Sequence, residues 1–182
     1  MKWVVWVGSV RKGSYNAAVA RALQPLAPVG VEVEMLPSVA KLPIYDADIQ
    51  AEGFPPAVTD LGAALKAADG LIIVTPEYNY SVPGGLKNAI DWVSRLPSKP
   101  LKEKPVLIQS ASMGVFGGAR AQYHLRQIMV FLDSFVMNVP EVMVGQAQHK
   151  VNEQGELSDA GTREFIAGQL KAFEAYVRRV AP

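Results

Sequence analysis

The regular alternation of short apolar runs with segments of helical period constrains this chain more than anything else in it. Five runs bounded by turn residues read as strands: Trp3–Val7, Val31–Met35, Leu71–Thr75, Val106–Ser110 and Phe135–Val139, the last resuming at Val142–Val144 beyond Pro140. Most are nearly apolar throughout, as expected of parallel strands covered on both faces. Val31–Met35 differs, because Glu32 and Glu34 alternate with apolar residues, a pattern that suits a sheet edge with one wet face. Between the runs the period changes. Leu61, Ala64, Leu65 and Ala68 recur at i, i+3, i+4 and i+7, as do Leu86, Ala89, Ile90 and Val93, and again Leu125, Ile128, Met129 and Leu132; each set lines one face of a helix. Val19, Leu23 and Leu26 make a shorter stripe that Pro25 brings to an early stop. A last helix is expected from Ser158, its cap, to Val180, with Ile166, Leu170, Phe173 and Val177 inward. The segment Pro37–Pro56, with four prolines, reads as a long connection. Strict alternation over residues 1–182 predicts a single α/β domain, a doubly wound sandwich.

Composition narrows the function. A net charge of +1 gives neither the basic surface of a nucleic-acid binder nor an acidic tail. The absence of cysteine excludes thiol catalysis, thiolate metal sites and a disulfide framework, and favours the cytoplasm. The longest apolar zone, Ile128 to Val144, is broken by Asp133, Asn138, Pro140 and Glu141, so no membrane span is expected. His124 and His149 are the only histidines. With no carboxylates spaced around either, no metal site is expected.

In doubly wound sheets ligands gather at the carboxyl ends of the strands, where the winding reverses. Three of the strand-to-helix connections are unusual. The first, Gly8-Ser9-Val10-Arg11-Lys12-Gly13-Ser14-Tyr15-Asn16, approaches a nucleoside-triphosphatase phosphate loop, but its lysine precedes the second glycine rather than following it. The strands ending in Thr75 and Ser110 lack the metal-holding aspartate such enzymes need. The dinucleotide fingerprint fails too, since Val10 stands at its middle glycine. What remains is a loop of hydroxyl and amide donors (Ser9, Ser14, Asn16) with Arg11, opening a helix whose N-terminus favours an anion. It suits one terminal phosphate without magnesium, or else it is an ordinary solvated turn.

The second connection runs Thr75-Pro76-Glu77-Tyr78-Asn79-Tyr80-Ser81-Val82-Pro83 before Gly84-Gly85 opens a helix. Two prolines stiffen it, and its aromatics and amides suit a flat heterocycle, unless Tyr78 and Tyr80 simply close the helix end. The third, Ser110 to Gln122, carries Gly114, Gly117 and Gly118, which permit close backbone approach, and Ser112, which can hydrogen-bond a ring. Phosphate at the first connection and a wide planar ring at the other two suggest a mononucleotide, FMN rather than AMP.

These residues resemble the NADPH-dependent FMN reductase family of flavodoxin-like folds, in its chromate and quinone reductase branch. The resemblance rests on Gly8–Asn16, on Pro76 through Trp92, and on Ser112-Met113-Gly114 with Gly117-Gly118-Ala119-Arg120. It implies a flavodoxin-like five-stranded parallel sheet in the order 2-1-3-4-5 with helices on both faces and FMN at the switch point. It further implies that Ser9, Arg11, Ser14, Tyr15 and Asn16 hold the phosphate. Pro76, Glu77, Tyr78, Asn79 and Tyr80 would hold the isoalloxazine, and Ser112, Met113 and Gly114 would contact the ring or the ribityl chain. No side chain is expected to act as a catalytic acid, base or nucleophile. The implied activity passes hydride from NADPH or NADH to FMN and then electrons to quinones, chromate, azo or nitro compounds, in ping-pong fashion. The implied assembly is a homodimer or homotetramer, with contacts from Gly84–Arg95 and the region of Arg120 and Tyr123, and a polar network of Tyr80, Arg120 and Glu141. A flavodoxin-like electron carrier without intrinsic NAD(P)H reductase activity is the alternative, disfavoured by the balanced charge.

Overall fold

A computed structural model describes residues 1–180. Its strands are β1 (Lys2–Val7), β2 (Glu32–Met35), β3 (Gly70–Thr75), β4 (Pro105–Ala111), β5 (Phe135–Val136) and β6 (Val142–Val144). The helices are α1 (Tyr15–Leu26), α2 (Ala47–Glu52), α3 (Pro56–Ala67), α4 (Gly84–Ser94), α5 (Ala119–Phe131) and α6 (Ala160–Val180). These strands pair in parallel, in the order β2-β1-β3-β4-β5. The fifth position is shared. β5 pairs with the start of β4 (Pro105↔Phe135) and β6 with its end (Gln109↔Val142). The single fifth strand read from the sequence is therefore two short pieces flanking the Val139–Pro140 bond, since a proline has no N–H to donate to a ladder.

Strand alternation divides the core in two. Val4, Trp6, Leu71, Ile73, Val106 and Ile108 face α3, α4 and α5, packing on Leu65, Trp92, Ile90, Leu125 and Met129. Trp3, Val5, Ile72, Val74 and Leu107 face the other way, onto Val19 and Leu23 of α1 and Ile166, Leu170 and Phe173 of α6. Both strand tryptophans are fully buried, and Trp3 meets Phe173 with ring centroids 5.0 Å apart. The edge strand behaves as its glutamates predict, with Glu32 and Glu34 both exposed.

Two local expectations need correction, and the early stop of the first helix at Pro25 agrees with the structure. The cap of the last helix is Asp159, whose carboxylate accepts from Thr162 N at 2.8 Å, while Ser158 Oγ donates to Lys150 O. The Thr162 side chain first, and its backbone N–H second, hold the Asp159 carboxyl below its usual range. Pro25 lies within the last turn of α1, which ends one residue later with Ala27 extended. The connection after β2 is partly helical: α2 forms behind Asp46, which accepts from Asp48 N at 2.8 Å. The proline density there hid a short capped helix. No helix among the described residues is long and apolar enough to cross a membrane.

Candidate functional site

The carboxyl ends of β1, β3 and β4 lie side by side, so the three unusual connections converge at one edge of the sheet. β1 is followed to the left by β2 and to the right by β3 in the sheet order. The crevice between the first two connections is the topological switch point.

The first connection passes close to the second. Gly8 N donates to Val74 O at 2.9 Å, and a Cβ at Gly8 would lie 2.8 Å from Thr75 Oγ1 and 3.1 Å from Leu86 Cδ2. Only a glycine lets β1 leave the sheet so near to Thr75. The loop then folds on itself, with Arg11 N donating to Ser9 Oγ (3.3 Å) and Ser14 N to Arg11 O (3.2 Å). Ser14 is the N-cap of α1, its hydroxyl accepting from Ala17 N at 3.4 Å. The Arg11 guanidinium stands over the Tyr15 ring, 5.5 Å from its centroid. The N–H groups of Ser9, Val10, Lys12, Gly13, Tyr15 and Asn16 meet no acceptor among the described residues. Such a nest of amides at the start of a helix is a ready anion site.

Asn16 behaves otherwise than as a loop donor. Its Nδ2 donates to Ala111 O and its Oδ1 accepts from Ala111 N, both at 2.9 Å, and the residue is 3% exposed. Its side chain ties the start of α1 to the end of β4, leaving its backbone N–H for a ligand.

The second connection is a two-residue hairpin. Tyr78 and Ser81 exchange backbone bonds of 3.0 Å in both directions, and Asn79 (φ 48°) and Tyr80 (φ 68°) are both left-handed. Two consecutive positive φ values define a type I′ turn, for which tyrosine is a costly choice. Tyr78 and Tyr80 are exposed, at 49% and 65%. The Ser81 hydroxyl lies 2.9 Å from His124 Nδ1 on α5. The N–H groups of Glu77, Asn79 and Tyr80 have no acceptor among the described residues.

The third connection packs against β6. A Cβ at Gly117 (φ 59°) would fall 2.6 Å from the Met143 carbonyl carbon, and one at Gly118 (φ 89°) 2.8 Å from Ser110 Cβ. Both positions exclude a side chain on space and on backbone. Ser112 N donates to Val144 O (3.0 Å), and its hydroxyl donates to Gly114 O (3.2 Å). Met113, Val115 and Phe116 are exposed. The N–H groups of Met113, Gly114, Val115, Phe116 and Gly118 are without acceptors among the described residues.

Two polar side chains hold this corner together: Gln122, which the sequence expectations lacked, and Glu77, expected at the ring but engaged through its carboxylate elsewhere. Gln122, wholly buried, donates through Nε2 to Ser110 Oγ and to Val142 O, each at 2.8 Å. Its signal was present: it occupies the apolar stripe of α5, three residues before Leu125, where a polar residue must find partners. The other is the Glu77 side chain. Its Oε2 accepts from Arg120 N (3.0 Å) and Ala121 N (3.2 Å), and its Oε1 from Arg120 Nη1 (3.0 Å). Arg120 lies between two rings, 4.0 Å from the Tyr80 centroid and 4.6 Å from that of Phe116. Glu141 is not part of that cluster: it accepts from Tyr123 OH (3.4 Å) and pairs with Arg126 (3.4 Å).

The arrangement thus offers an anion nest and, beside it, two loops of free amides bordered by Tyr78, Tyr80, Met113 and Phe116. That donor set fits a flat heterocycle carrying a single phosphate. Ser81 and His124, 2.9 Å apart, make the one hydroxyl–imidazole contact among the described residues; what the rows of free amides can do is bind and orient.

A family model described as NADPH-dependent FMN reductase matches residues 1–149. A quinone reductase of Escherichia coli (strain K12) is 61% identical, over 97% of this chain and 95% of its own. An NAD(P)H-dependent FMN reductase of Pseudomonas aeruginosa is 50% identical over 95% of this chain and 93% of its own. Among solved structures, a flavoenzyme NAD(P)H:(acceptor) oxidoreductase from Paracoccus denitrificans superposes with a TM-score of 0.88 at 33% identity, covering 98% of this chain and 97% of that one.

Proposed function

The chain belongs to the NADPH-dependent FMN reductase family, and from that premise we propose that the three convergent loops hold FMN for a quinone-reducing cycle driven by NAD(P)H. It is an oxidoreductase with the NAD(P)H-dependent FMN chemistry of that family. FMN, when bound, supplies the ability to take up two electrons from a nicotinamide and release them to an acceptor. The observation that carries the assignment to this site is the row of backbone N–H groups without acceptors along all three loops.

The work of the protein is binding and orientation. The nest at Ser9–Gly13, the N-terminus of α1, Ser14 and Arg11 take the phosphate. The free amides of Glu77, Asn79 and Tyr80, with those at Met113 and Gly114, address the polar edge of the ring. Donors fixed beforehand stabilise charge developing on that edge without reorganising. Tyr78, Tyr80 and Met113 border the ring and shed water from it. Pro76 and Pro83 hold the second loop in one shape. Because donor and acceptor would use the same open face in turn, the cycle is ping-pong. The acceptors are quinones, with chromate, azo and nitro compounds as further oxidants of the same kind.

A second copy of the chain completes the assembly in this reading. The outward side of α5 exposes Val130 (79%) and Phe131 (89%) beside a groove of about 710 Å³ between α4 and α5. That face supports a homodimer or homotetramer, and sedimentation at two protein concentrations tests it.

The visible spectrum of purified protein, before and after anaerobic NADPH, tests the central proposal. Flavin bands that bleach on NADPH and return with a quinone are expected. Protein that carries no flavin and takes none from added FMN would overturn it. Parallel double-reciprocal lines at several fixed quinone concentrations are expected for ping-pong, and intersecting lines would reject it.

A further inference from the structure

The N-terminus of α5 cannot cap itself. Its N-cap is Gly118, which must be glycine, because φ is 89° and a Cβ would strike Ser110 at 2.8 Å. The amides that a capping side chain would normally satisfy are those of Arg120 and Ala121, at the second and third helical positions. Both donate instead to Glu77, which lies 43 residues earlier, in the other ring-facing loop. The Glu77 side chain is only 13% exposed and takes a third bond from the Arg120 guanidinium. A carboxylate is suited to this place, since it accepts several bonds at once and complements the positive end of a helix.

We propose that Glu77 is a positioning residue: its carboxylate acts as the missing cap of α5 and thereby locks the Tyr78–Ser81 hairpin to the Gly117–Gly118 turn, setting the spacing between the two loops that receive the flavin ring. The claim rests on the FMN reading of the site, and it separates two parts of one residue. The N–H of Glu77 has no acceptor among the described residues and is left for the ring, whereas its carboxylate is engaged by Arg120 and Ala121 of α5. The hairpin needs such an anchor. Its turn places a tyrosine at φ 68°, a conformation that persists only when the surroundings enforce it. The stack of Arg120 between Tyr80 and Phe116 is secondary, because the guanidinium supplies one of the three bonds and the helix amides supply two.

The test compares Glu77→Ala, Glu77→Gln and Arg120→Ala with the parent protein. Two readouts are taken at a temperature well below each variant's melting point: amide hydrogen exchange over 77–81 and 116–121 in the FMN-free protein, and the FMN dissociation constant from quenching of flavin fluorescence. In Glu77→Ala both segments exchange faster together. If the competent arrangement falls to about a tenth of the population, FMN binds about tenfold more weakly. Glu77→Gln keeps one acceptor oxygen for the helix amides and recovers most of that loss. Arg120→Ala, which keeps both amide bonds, weakens FMN by less than about threefold. Glu77→Ala with unchanged exchange overturns the lock, whether or not FMN binds. A lowered melting point with unchanged FMN affinity overturns the positioning role and leaves Glu77 merely structural. An equal loss in Arg120→Ala assigns the effect to the guanidinium and also overturns the proposal. If the parent protein binds no FMN while Glu77→Ala still loosens both segments, the FMN reading fails and the lock stands.

Discussion

Asn16 and Ala111 exchange two hydrogen bonds of 2.9 Å, so that a side chain at the start of α1 pairs with the end of β4 as a neighbouring strand would. The pairing ties the end of the first connection to the start of the third. Replacing Asn16 by Ala leaves both polar groups of Ala111 without a partner in a buried position, at about 1–3 kcal/mol for each group left unsatisfied. Asn16→Asp can still accept from Ala111 N but sets a carboxylate oxygen against Ala111 O, and is expected to be no better than Asn16→Ala. Urea unfolding should show a lower midpoint with unchanged slope in both. A midpoint within experimental error of the parent's would show that the clamp contributes nothing.

Gly8 gives a prediction of a different kind, because the crowding there is between loops. Gly8→Ala brings a methyl to 2.8 Å from Thr75 Oγ1 and 3.1 Å from Leu86 Cδ2. Relieving it moves the first loop away from the second, and overpacking of this kind costs about 1–3 kcal/mol. Combining it with Thr75→Ala removes the nearest atom, so the double variant should be more stable than the sum of the two single effects. Strict additivity in denaturant titrations would mean that Gly8 and Thr75 do not press on one another.

The layers of the sheet and its three unusual connections were legible in the sequence for a simple reason, whereas the strand order came from the family resemblance. Apolar runs such as Leu71–Thr75 and stripes such as Leu86, Ala89, Ile90 and Val93 report burial directly, and burial builds the layers. What was not legible depends on partners distant in sequence. Nothing near Asn16 says that its amide meets Ala111, and nothing near Glu77 says that it caps a helix 43 residues away. Ser158 and Asp159 are both acceptable caps by type; the choice between them was made by Lys150 O, which engages Ser158. The alternation also could not reveal that the fifth strand is divided, since Phe135–Val139 is apolar enough to be one strand and Val142–Val144 is what reaches the end of β4.

Lys104 makes stability depend on alkaline pH. It is 8% exposed and donates to Ala68 O. Burial first, and the charge of Lys66 second, hold its ammonium below the usual 10.5, against a smaller opposing pull from Asp69. In the unfolded chain the lysine keeps its proton to about 10.5, so between the depressed folded value and that pH the unfolded state binds more protons. Stability therefore gains a rising contribution with pH across that window and none below it. Lys104→Met removes the titration. The stability difference between parent and Lys104→Met, from urea unfolding in steps from pH 7 upward, should shift in favour of the parent as pH approaches 10.5. A difference that stays flat would show that Lys104 titrates alike in both states.

The phosphate nest is tested most cleanly by comparing two ligands that differ only in the phosphate. FMN and riboflavin present the same ring to the second and third loops, so a change confined to the first loop should alter their ratio. Arg11 is exposed, and among the described residues its guanidinium makes no hydrogen bond or ion pair and stands over Tyr15; Arg11→Ala should therefore leave the fold unaltered. A hydrogen bond to a charged group contributes about 1.5–3 kcal/mol, which is roughly 10- to 150-fold in binding. Arg11→Ala is expected to weaken FMN toward the lower end of that range, since the group is solvated, and to leave riboflavin unchanged. Ser14→Ala adds the loss of the α1 cap, about 1 kcal/mol of stability, and should likewise weaken FMN and not riboflavin. Raising the salt concentration should narrow the preference for FMN, because the exposed part of the attraction is screened. Equal losses for the two ligands in Arg11→Ala would place the phosphate elsewhere. A parent protein that binds riboflavin as tightly as FMN would remove the reason for giving the first loop to a phosphate at all.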